Sequence, residues 1–563
     1  MYFLGEQIVL RLNNFLYNAG ILGFIKVLKN MENNFVDVDY SIQGNTLTFS
    51  SDVFKDFTQY YLKTLMDEFE KDTMYYSIIE KYKMIVSQNL IEETEEFKDL
   101  LRLMSSTLKT NKFSSGYTII SKRGDSTDIK KLLDLLNKEK DFNQKQVYAK
   151  EIINYMEKYR DVLLLKEIMY TKINLFWNNT AFLSKTSVEE EIDNCYEEKF
   201  IAPILKYTGK KPRKNTYQCI ECGREVPQLK EGSMAWINDM GVDINRKRSN
   251  FWNYNPDVLI CPICKVVYSC VPLGFYIVGK NGLFINSSVS IESLIEMNNY
   301  DIKMNSLIDI ENAAYYKILR ALNYLGNVDP ARKQINFGIQ IVKRVFEDKQ
   351  SFYKFNIVTP TTLMVLSERE KEFQQLINRY YTFNKGSSNA KTKNIYDTVV
   401  THILENKNLF SFMHDILRDS IESSQKIDFL YNVLKIQITF SMKGVASLME
   451  RIEQITKLEK TTYHIWKCGL EIKNILTPKN GPKVQGEGKT KSYIYKLLNA
   501  LRTNSASEFI NTVIKLYIDA KKEIPASFLK MLNDEEQFKI LGDAFVMGLL
   551  GQESHNEENE SNN

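Results

Sequence analysis

Four cysteines in the middle of the chain form two C-x-x-C pairs. Cys219 and Cys222 enclose an isoleucine and a glutamate, and Cys261 and Cys264 enclose a proline and an isoleucine. A C-x-x-C turn places two thiolates on one side of a tight knuckle, and two such knuckles complete the tetrahedral four-sulfur shell that structural zinc prefers. The spacing therefore predicts one structural zinc ion (Zn2+) per chain, held by these four cysteines.

Two other interpretations of the cysteine pairs stay open at this point. A single C-x-x-C pair is enough for a redox dithiol, and reduced cysteines can simply pack in a core. If zinc binds, cysteine fills all four positions of its shell, so no site is open to water and the ion should not be catalytic. The other three cysteines, Cys195, Cys270 and Cys468, belong to neither pair and are expected to be buried thiols.

The long segment between the two pairs, Gly223–Ile260, combines basic and aromatic side chains. Three consecutive basic residues, Arg246, Lys247 and Arg248, are followed closely by Trp252. Basic residues beside aromatic ones can contact phosphates and stack on bases. A solvated charge run beside a small aromatic core explains the same pattern equally well.

Two further segments are rich in lysine and arginine. Residues 206–214 contain no acidic residue, and residues 477–491 are predicted to form a loop rich in glycine and proline. The basic side chains of both segments are predicted to contact a phosphate backbone, with a solvated linker as the alternative. These predicted contacts are Lys210, Lys211, Arg213, Lys214, Lys483, Lys489 and Lys491.

The overall composition limits the classes of function. The 563 residues are 44% hydrophobic and 26% charged, which is typical of a folded protein with several domains. A net charge of +4 excludes a chain that is basic throughout, so any electrostatic binding surface must be local. The longest weakly charged stretch, Val266–Gly279, is too short to span a bilayer, and residues 1–10 lack the pattern of a secretory signal. We expect a cytoplasmic protein with no membrane partner.

Motifs for catalysis are scarce. The chain has only four histidines, and His414 with Asp415 forms an HD dipeptide that would need further ligands to make a metal-dependent hydrolase site. Gly486–Thr490 ends like a P-loop, but Lys483 stands where the first glycine of that motif is required. We expect a binding and assembly protein, not an enzyme, without a small-molecule substrate.

Hydrophobic periodicity predicts the elements that position these residues. The N-terminal half is predicted to contain a helix over residues 1–30, a hairpin over 36–49, helices over 52–108, a strand over 113–120 and helices over 129–177. The segment Cys261–Val289 is β-rich, and Asn281-Gly282 is a strong signal for a hairpin turn. Beyond Ile291 the pattern is helical, with a flexible stretch at Lys385–Lys393.

The predicted fold class is α+β. It consists of a mixed N-terminal body with an inserted four-cysteine, zinc-ribbon-like module, followed by an all-α C-terminal helical bundle. The predicted domains are an N-terminal α+β domain (1–205), a zinc-binding module with a long basic and aromatic excursion and a β-hairpin (206–290), a helical continuation of the N-terminal body (291–384), a C-terminal helical bundle (385–550) and a disordered acidic tail (551–563).

Several short motifs occur in an order that resembles one known family. The first is Leu12–Phe24 (LNNFLYNAGILGF), which we call the opening motif; the cysteine pairs follow, and after them come Pro272–Phe275 (PLGF) and Leu283–Asn286 (LFIN). Together with a helical C-terminal third, these resemble the large subunit of type I-B CRISPR Cascade complexes, the subfamily often called Cst-one. Phe15 stands where that family is expected to have tryptophan, which is a conservative departure.

The resemblance implies a role in an RNA-guided DNA surveillance complex. Such a subunit is implied to recognise the protospacer-adjacent motif in duplex DNA, to assist R-loop formation and to recruit a helicase-nuclease. Its implied partners are the guide CRISPR RNA, the target double-stranded DNA, and the backbone, repeat-tag-binding and small subunits of Cascade. The region 385–550 is implied to resemble the small subunit and to line the path of the DNA.

Asn18, in the opening motif, is a candidate for contact with the adjacent motif of the DNA. A helix-capping or core-satisfying amide is the alternative for this residue. Two other functions are also left open: a stand-alone zinc-ribbon regulator that binds nucleic acid, and a metal-dependent nuclease. Co-purification with a small RNA would exclude the first, and the second requires clustered acids and histidines.

Overall fold

The computed structural model describes most of the chain, in two compact units. The described residues are 6–87, 93–187, 189–207, 217–226, 229–241, 258–299, 339–423, 425–445, 447–476, 483–532 and 534–551. Unit 1 comprises the described parts of Met1–Ile310 and Ile339–Phe355, and unit 2 the described parts of Asn356–Asn563. The fold class predicted from the sequence is confirmed: unit 1 mixes helices and sheets around the four cysteines, and the C-terminal region is helical.

Unit 1 begins with a three-stranded antiparallel sheet in the order β1-β3-β2, built from β1 (Gln7–Arg11), β2 (Tyr40–Gln43) and β3 (Thr46–Ser50). The predicted hairpin is confirmed, since Gln43 pairs with Thr46 across the turn at Gly44. Helix α1 (Phe15–Asn33) lies between β1 and β2 in the sequence and is buried over most of its length.

Helices make up most of the remainder of the first 206 residues, and their apolar faces share one hydrophobic core with α1. They are α2 (Phe57–Phe69), α3 (Met74–Ser87), α4 (Glu95–Leu108), α5 (Asn111–Lys122), α6 (Ile129–Lys138), α7 (Phe142–Lys158), α8 (Arg160–Thr171), α9 (Ile192–Tyr196) and α10 (Ala202–Lys206).

The cysteine region and a four-stranded sheet complete unit 1. Two short strands, β4 (Tyr217–Gln218) and β5 (Glu225–Val226), pair with each other, and they are followed by helices α11 (Leu229–Gly232), α12 (Pro262–Ser269) and α13 (Val271–Gly274). The sheet has the order β6-β7-β8-β9. Its strands are β6 (Tyr276–Val278), β7 (Asn281–Asn286), β8 (Ile339–Glu347) and β9 (Gln350–Val358), and α14 (Ile291–Met297) follows β7.

Unit 2 contains the end of β9, and beyond Val358 its described residues are helical apart from one hairpin, β10 (Tyr380–Phe383) with β11 (Lys391–Asn394). Its longest described helix, Leu448–Leu476, packs closely against the buried C-terminal helix, Glu535–Leu550, at Gly469 and Gly548. The helices are α15 (Pro360–Glu368), α16 (Glu370–Leu376), α17 (Ile395–Leu404), α18 (Phe410–Ser423), α19 (Leu430–Ser441), α20 (Leu448–Leu476), α21 (Lys483–Arg502), α22 (Ala506–Ala520) and α23 (Glu535–Leu550).

Several predicted elements were wrong in type. The chain forms strand β1 before α1, so the predicted helix over residues 1–30 begins only at Phe15. Residues 113–120 lie in helix α5, because Phe113, Ile119 and Ile120 are buried on one helical face. Val266–Tyr268 belongs to helix α12, where burial on all sides removed the periodicity that distinguishes a helix from a strand.

The hairpin turn and the region beyond residue 291 also differ from the prediction. Val278 pairs with Asn281, so the turn lies at Gly279-Lys280, and Gly279 takes the positive φ of +58° that the turn requires. The predicted helical continuation contains the long strands β8 and β9, and Lys391 lies in β11. Helix α21 already begins at Lys483, within the predicted loop. Among the described residues, no helix is both long and apolar enough to cross a membrane.

Candidate metal centre

The fold brings the four paired cysteines into one cluster. The Sγ atoms of Cys219, Cys222, Cys261 and Cys264 all lie within 4.8 Å of one another, and Sγ of Cys222 lies 3.6 Å from Sγ of Cys261. Cys222 is half-buried and the other three cysteines are buried. Within the described residues this is the one group of three or more potential metal ligands.

The first knuckle is formed by the turn between β4 and β5. The amide of Cys219 donates to the carbonyl of Arg224 at 2.8 Å, and the amide of Gly223 donates to the carbonyl of Cys219 at 2.9 Å. Gly223 has a φ of +69°, a conformation that is strained for residues with a Cβ atom. The glycine after the second cysteine therefore lets the chain reverse tightly enough for both thiols to face the same side.

The second knuckle is the beginning of helix α12. Sγ of Cys261 accepts a hydrogen bond from the amide of Cys264 at 3.5 Å, so the first cysteine of this pair caps the helix. Pro262 occupies the first turn, where its missing N–H is not needed. Both thiols of this pair are thereby fixed by helical geometry.

The size of the cluster fits a metal ion with four sulfur ligands. A tetrahedral Zn–S shell with bonds of about 2.3 Å has edges of about 3.8 Å between sulfur atoms. The 3.6 Å separation of Cys222 and Cys261 and the 4.8 Å limit for all pairs agree with such a shell. The predicted grouping of the four cysteines is confirmed, and the geometry is consistent with a metal site.

The electrostatics of the cluster favour bound positive charge. Hydrogen bonds from Cys219, Cys261 and Cys264 hold the pKa of the Cys222 thiol well below its usual value. The same contacts raise the pKa of Cys261 and Cys264, because several thiolates this close repel each other. A cation at the centre would allow all four thiols to ionise together.

The opening motif contacts the cluster directly. The hydroxyl of Tyr17 on α1 lies 3.2 Å from Sγ of Cys264, and both side chains are buried. Burial and the neighbouring cysteines raise the pKa of Tyr17, so this hydroxyl keeps its proton and can donate it to sulfur. Tyr17 is therefore placed to donate a hydrogen bond to the sulfur of Cys264, one of the four candidate metal ligands.

A second contact joins the start of α1 to the first knuckle. The carboxylate of Glu221, which lies between Cys219 and Cys222, accepts hydrogen bonds from the amide groups of Asn13 at 2.9 Å and Asn14 at 2.8 Å. It also accepts one from the hydroxyl of Tyr268 at 2.6 Å. Burial raises the pKa of Glu221 despite these three donors. The two asparagines thus tie the opening motif to the cysteine turn.

Helix α1 also packs against the second knuckle with almost no space between the backbones. A Cβ atom on Gly20 would lie 2.4 Å from the carbonyl oxygen of Val267, and one on Gly23 would lie 2.1 Å from that of Cys270. A Cβ atom on Gly274 would meet the carbonyl oxygen of Ala19 at 2.1 Å. Only glycine fits at these three positions, so the glycines of the opening motif are explained by this packing.

Asn18 is part of the core. Its side chain is 0% exposed, its Oδ1 accepts from the amide of Asn13 at 2.7 Å, and its Nδ2 donates to Oδ1 of Asn286 at 2.8 Å. These are the contacts expected of the core-satisfying amide that the sequence left open as the alternative. A contact between Asn18 and nucleic acid stays a prediction.

The structure describes two of the other predicted nucleic-acid contacts in detail. Lys489 pairs with Asp519 at 2.8 Å and Lys491 lies 3.8 Å from Glu422, with both lysines about half exposed. Helix α21 begins at Lys483, whose side chain the structure does not describe. The remaining predicted contacts lie outside the described residues; they are Lys210, Lys211, Arg213, Lys214, Arg246, Lys247 and Arg248.

The cysteine segment matches a known family. Residues 212–276, which include both knuckles and helices α12 and α13, match the sequence model of a family described as CRISPR-associated protein (Cas_CXXC_CXXC). The match indicates a CRISPR-associated protein. A comparison with curated proteins found no match. The matched segment includes Glu221, Tyr268 and Gly274, all of which contact the opening motif; Tyr268 does so by accepting a hydrogen bond from the amide group of Asn14 at 3.2 Å.

The residues that support the cluster were not predicted from the sequence. Tyr17 and Glu221 carry no motif that marks a residue near a metal. The signal that could have found them is the pair Asn13-Asn14 directly before a helix with glycines at positions 20 and 23, because small residues at this spacing indicate close helix packing. This pattern predicts that helix α1 packs closely against another element, but it does not predict which element that is.

Proposed function

We propose that this chain is the non-catalytic large subunit of a type I-B CRISPR RNA-guided surveillance complex, of the Cst-one subfamily. The observation that carries the proposal is the direct packing of the opening motif on the CRISPR-associated cysteine segment, through Tyr17 and Cys264. The two sequence features that resemble the family are therefore parts of one structural centre. Their association supports a shared origin more strongly than either short motif does alone.

We propose zinc as the metal of the cluster. Four thiolates without oxygen or nitrogen ligands favour zinc among the common metals that carry out no redox chemistry. Bound zinc would neutralise the thiolates and fix both knuckles; a shell filled by four cysteines leaves it no catalytic position. Cys219, Cys222, Cys261 and Cys264 would hold it, and Tyr17 would orient the sulfur of Cys264.

In this proposal the subunit recognises the protospacer-adjacent motif in duplex DNA, assists R-loop formation and recruits the helicase-nuclease. Guide–target base pairing reads most of the sequence in such complexes, so the protein needs only local contacts with DNA. A net charge of +4, with basic residues grouped in short segments, supports a protein that contacts DNA only locally. The proposed partners are the guide RNA, the backbone, repeat-tag-binding and small subunits, in the cytoplasm.

Co-expression tests the proposal. The tagged chain is expressed with the genes that adjoin its own and with a CRISPR array, and the purified material is analysed for RNA and protein. We expect the guide RNA and the backbone subunits to co-purify with the chain. Purification of the chain alone, as a monomer or dimer that binds DNA, would favour a stand-alone zinc-ribbon regulator. Magnesium- or manganese-dependent DNA cleavage that is lost in His414→Ala would favour a nuclease.

A second test uses the assembled complex and the basic residues of the segment Gly223–Ile260. Replacing Arg246, Lys247 and Arg248 with glutamine should weaken binding of target duplex and leave assembly intact. The slope of log affinity against log salt should become shallower by about 0.9 for each phosphate contact that is lost. Unchanged affinity for duplex across a salt series would remove these residues from the proposed DNA contacts.

A further inference from the structure

Phe35, directly after helix α1, is the most exposed large apolar side chain in the described part of the chain. It is 99% exposed, whereas the next in exposure, Met449, is 79% exposed. Its neighbours behave differently, because Val36 and Val38 are half-buried and pack against the core of unit 1. A fully exposed phenyl ring gains no free energy from burial, so folding of this chain does not explain a phenylalanine at this position.

The backbone of Phe35 adopts a conformation that favours glycine. Helix α1 ends in a Schellman motif, in which the amide of Phe35 donates to the carbonyl of Glu32 at 3.0 Å and the amide of Val36 donates to the carbonyl of Met31 at 3.1 Å. Phe35 has a φ of +62° in this motif. Glycine is the usual residue there, because a Cβ atom is strained at positive φ. Phe35 therefore strains the backbone without burying its ring in this chain.

Hydrogen bonds on both sides fix the turn that carries Phe35. The side-chain oxygen of Asn34 accepts a hydrogen bond from Nζ of Lys63 on α2. On the other side, the amide of Ser50 donates to the carbonyl of Asp39 at 2.9 Å. The ring thus projects from a backbone that is already held in place, and a partner that binds it would lose little free energy in ordering this segment.

Three carboxylates lie close to Phe35 in the sequence: Glu32, Asp37 and Asp39. Residues 30–43 contain no lysine or arginine. All three carboxylates are exposed; Glu32 and Asp39 accept hydrogen bonds from neutral side chains, and none of the three pairs with a cation among the described residues. Because the chain spans at most about 3.5 Å per residue, the Cα atom of Asp37 lies within about 7 Å of that of Phe35. Even with Lys63 counted, the surroundings of the ring are negative.

This negative charge decides which class of partner the ring fits. An exposed phenyl ring can stack on a base, insert into lipid or fill a pocket in a protein. Three carboxylates would repel a phosphate backbone or an anionic lipid surface, whereas they would attract a protein pocket bordered by lysine or arginine. The exposed polar residues nearby, Asn33, Ser41 and Gln43, suit the rim of a protein interface that has an aromatic side chain at its centre.

We propose that Phe35 anchors a second, different protein on unit 1 by filling an apolar pocket that is bordered by lysine or arginine. The carboxylates of Glu32, Asp37 and Asp39 pair with those cations at the edge of the pocket. This docking role goes beyond the proposed function, which assigns no residue to the contact with another protein. It rests on the proposed function only for the choice of the proteins that are tested as partners.

Photo-crosslinking from position 35 tests the contact directly. The full chain with p-benzoylphenylalanine in place of Phe35 is co-expressed with the genes that adjoin its own and irradiated, and the products are identified by mass spectrometry. The control carries the same group in place of Val147, an apolar residue of α7 that is 55% exposed. We expect position 35 to crosslink to one other protein, at a peptide with lysine or arginine beside apolar residues. The control position should give no such product.

The variant Phe35→Gly separates docking from folding. Glycine relieves the strain of the positive φ, so the urea midpoint of the isolated chain should rise. The affinity for the crosslinked protein, purified on its own and titrated with the chain, should fall at least about tenfold, because a few aromatic anchors carry most of the binding energy of an interface. Val147→Ala is the control and should leave both the affinity and the midpoint unchanged.

A double variant tests the carboxylates. Asp37→Asn combined with Asp39→Asn should slow association with the crosslinked protein and make its rate less dependent on salt, because charges at the rim of an interface act mainly on the association rate. Glu151→Gln combined with Glu157→Gln removes the same charge from exposed positions of α7 and should keep the original rate. Equal rates for the two double variants would contradict a cationic border on the pocket.

Several results would overturn the docking of a second protein on Phe35. They are the absence of a crosslink from position 35, a crosslink to nucleic acid, to lipid or to a second copy of the chain, and an unchanged affinity of Phe35→Gly. A lower urea midpoint of Phe35→Gly would also do so, because the ring would then stabilise the chain itself. The proposed function fails separately: absence of guide RNA from the unchanged chain leaves the crosslink standing, and a missing crosslink leaves co-purification of guide RNA standing.

Discussion

The hydroxyl of Tyr17 lies 3.2 Å from the sulfur of Cys264, although 247 positions separate the two residues in the sequence. This contact joins the opening motif to the cysteine cluster at a buried point. Glu221, held by Asn13 and Asn14, makes a second connection on the half-buried side of the cluster. The cysteine cluster and helix α1 are therefore packed together as one part of unit 1.

Loss of the Tyr17 hydroxyl should weaken metal binding. In Tyr17→Phe the ring still fills its place in the core, but the hydrogen bond to Cys264 is absent, and loss of a second-shell partner costs about tenfold in metal affinity at the least. Competition with a chelator measures the affinity. Tyr381→Phe, which removes a buried tyrosine hydroxyl from unit 2, is the matched control and should retain the original affinity. Equal affinity in Tyr17→Phe would contradict a role for this hydroxyl at the metal.

A methyl group at Gly23 should destabilise unit 1. It would lie 2.1 Å from the carbonyl oxygen of Cys270, so α1 would have to move away from α13. We expect Gly23→Ala to lower the free energy of unfolding by about 1–3 kcal/mol, as overpacking in a core does. Urea unfolding followed by tryptophan fluorescence measures this change.

Gly444→Ala is the control for that substitution. A Cβ atom at Gly444 would have no neighbour within 4 Å, and its φ is not positive. We expect its urea midpoint to lie close to that of the unchanged chain. A midpoint for Gly23→Ala that equals the control would mean that the two helices are not in the close contact described above.

The sequence predicted the grouping of the four cysteines but not the residues that surround them. Four cysteines with fixed local spacing are visible without a fold, because each knuckle is made by consecutive residues. Tyr17 meets the cluster, and Asn13 and Asn14 meet Glu221, only through long-range packing, which leaves no local pattern. Val266–Tyr268 shows the same limit for secondary structure, since a helix that is buried on all sides has no polar face to mark its period.

The strands β8 and β9 were missed for a related reason. β9 lies beside β8, which directly precedes it, but β8 also pairs with a strand far away in the sequence: Ile341 of β8 lies opposite Ile285 of β7. The turn before β7 was misplaced by two residues because Asn281-Gly282 is a frequent turn sequence, while Gly279 supplies the positive φ here. In both cases pairing with another strand determines where the strand or turn forms, and the local sequence pattern does not show which strand that is.

The buried carboxyl group of Asp543 predicts a pH dependence of the stability of unit 2. Asp543 on α23 is 3% exposed, and burial raises its pKa to about 8, with Lys539 opposing the shift. In the unfolded chain the group ionises near pH 3.9. Between these values the unfolded state releases a proton that the folded state keeps, so stability falls as pH rises towards about 8 and then levels off.

Calorimetry of Asp543→Asn checks this pH dependence. The asparagine side chain does not ionise, so the melting temperature of unit 2 should fall less between about pH 5 and 8 than in the unchanged chain. Glu523→Gln removes an exposed carboxylate and should leave the original pH dependence in place. Parallel curves for Asp543→Asn and the unchanged chain would show that this carboxyl is ionised in the folded state.

The metal content of the purified chain tests the central claim, that the four cysteines hold one structural zinc ion. We predict about one zinc per chain, and below about 0.1 when Cys219, Cys222, Cys261 and Cys264 are all changed to serine. Cys468→Ser, a buried cysteine outside the cluster, should retain the full content. Elemental analysis by mass spectrometry gives the ratio of zinc to protein. Full zinc loading of the four-serine variant, or its absence from the unchanged chain, would contradict the account.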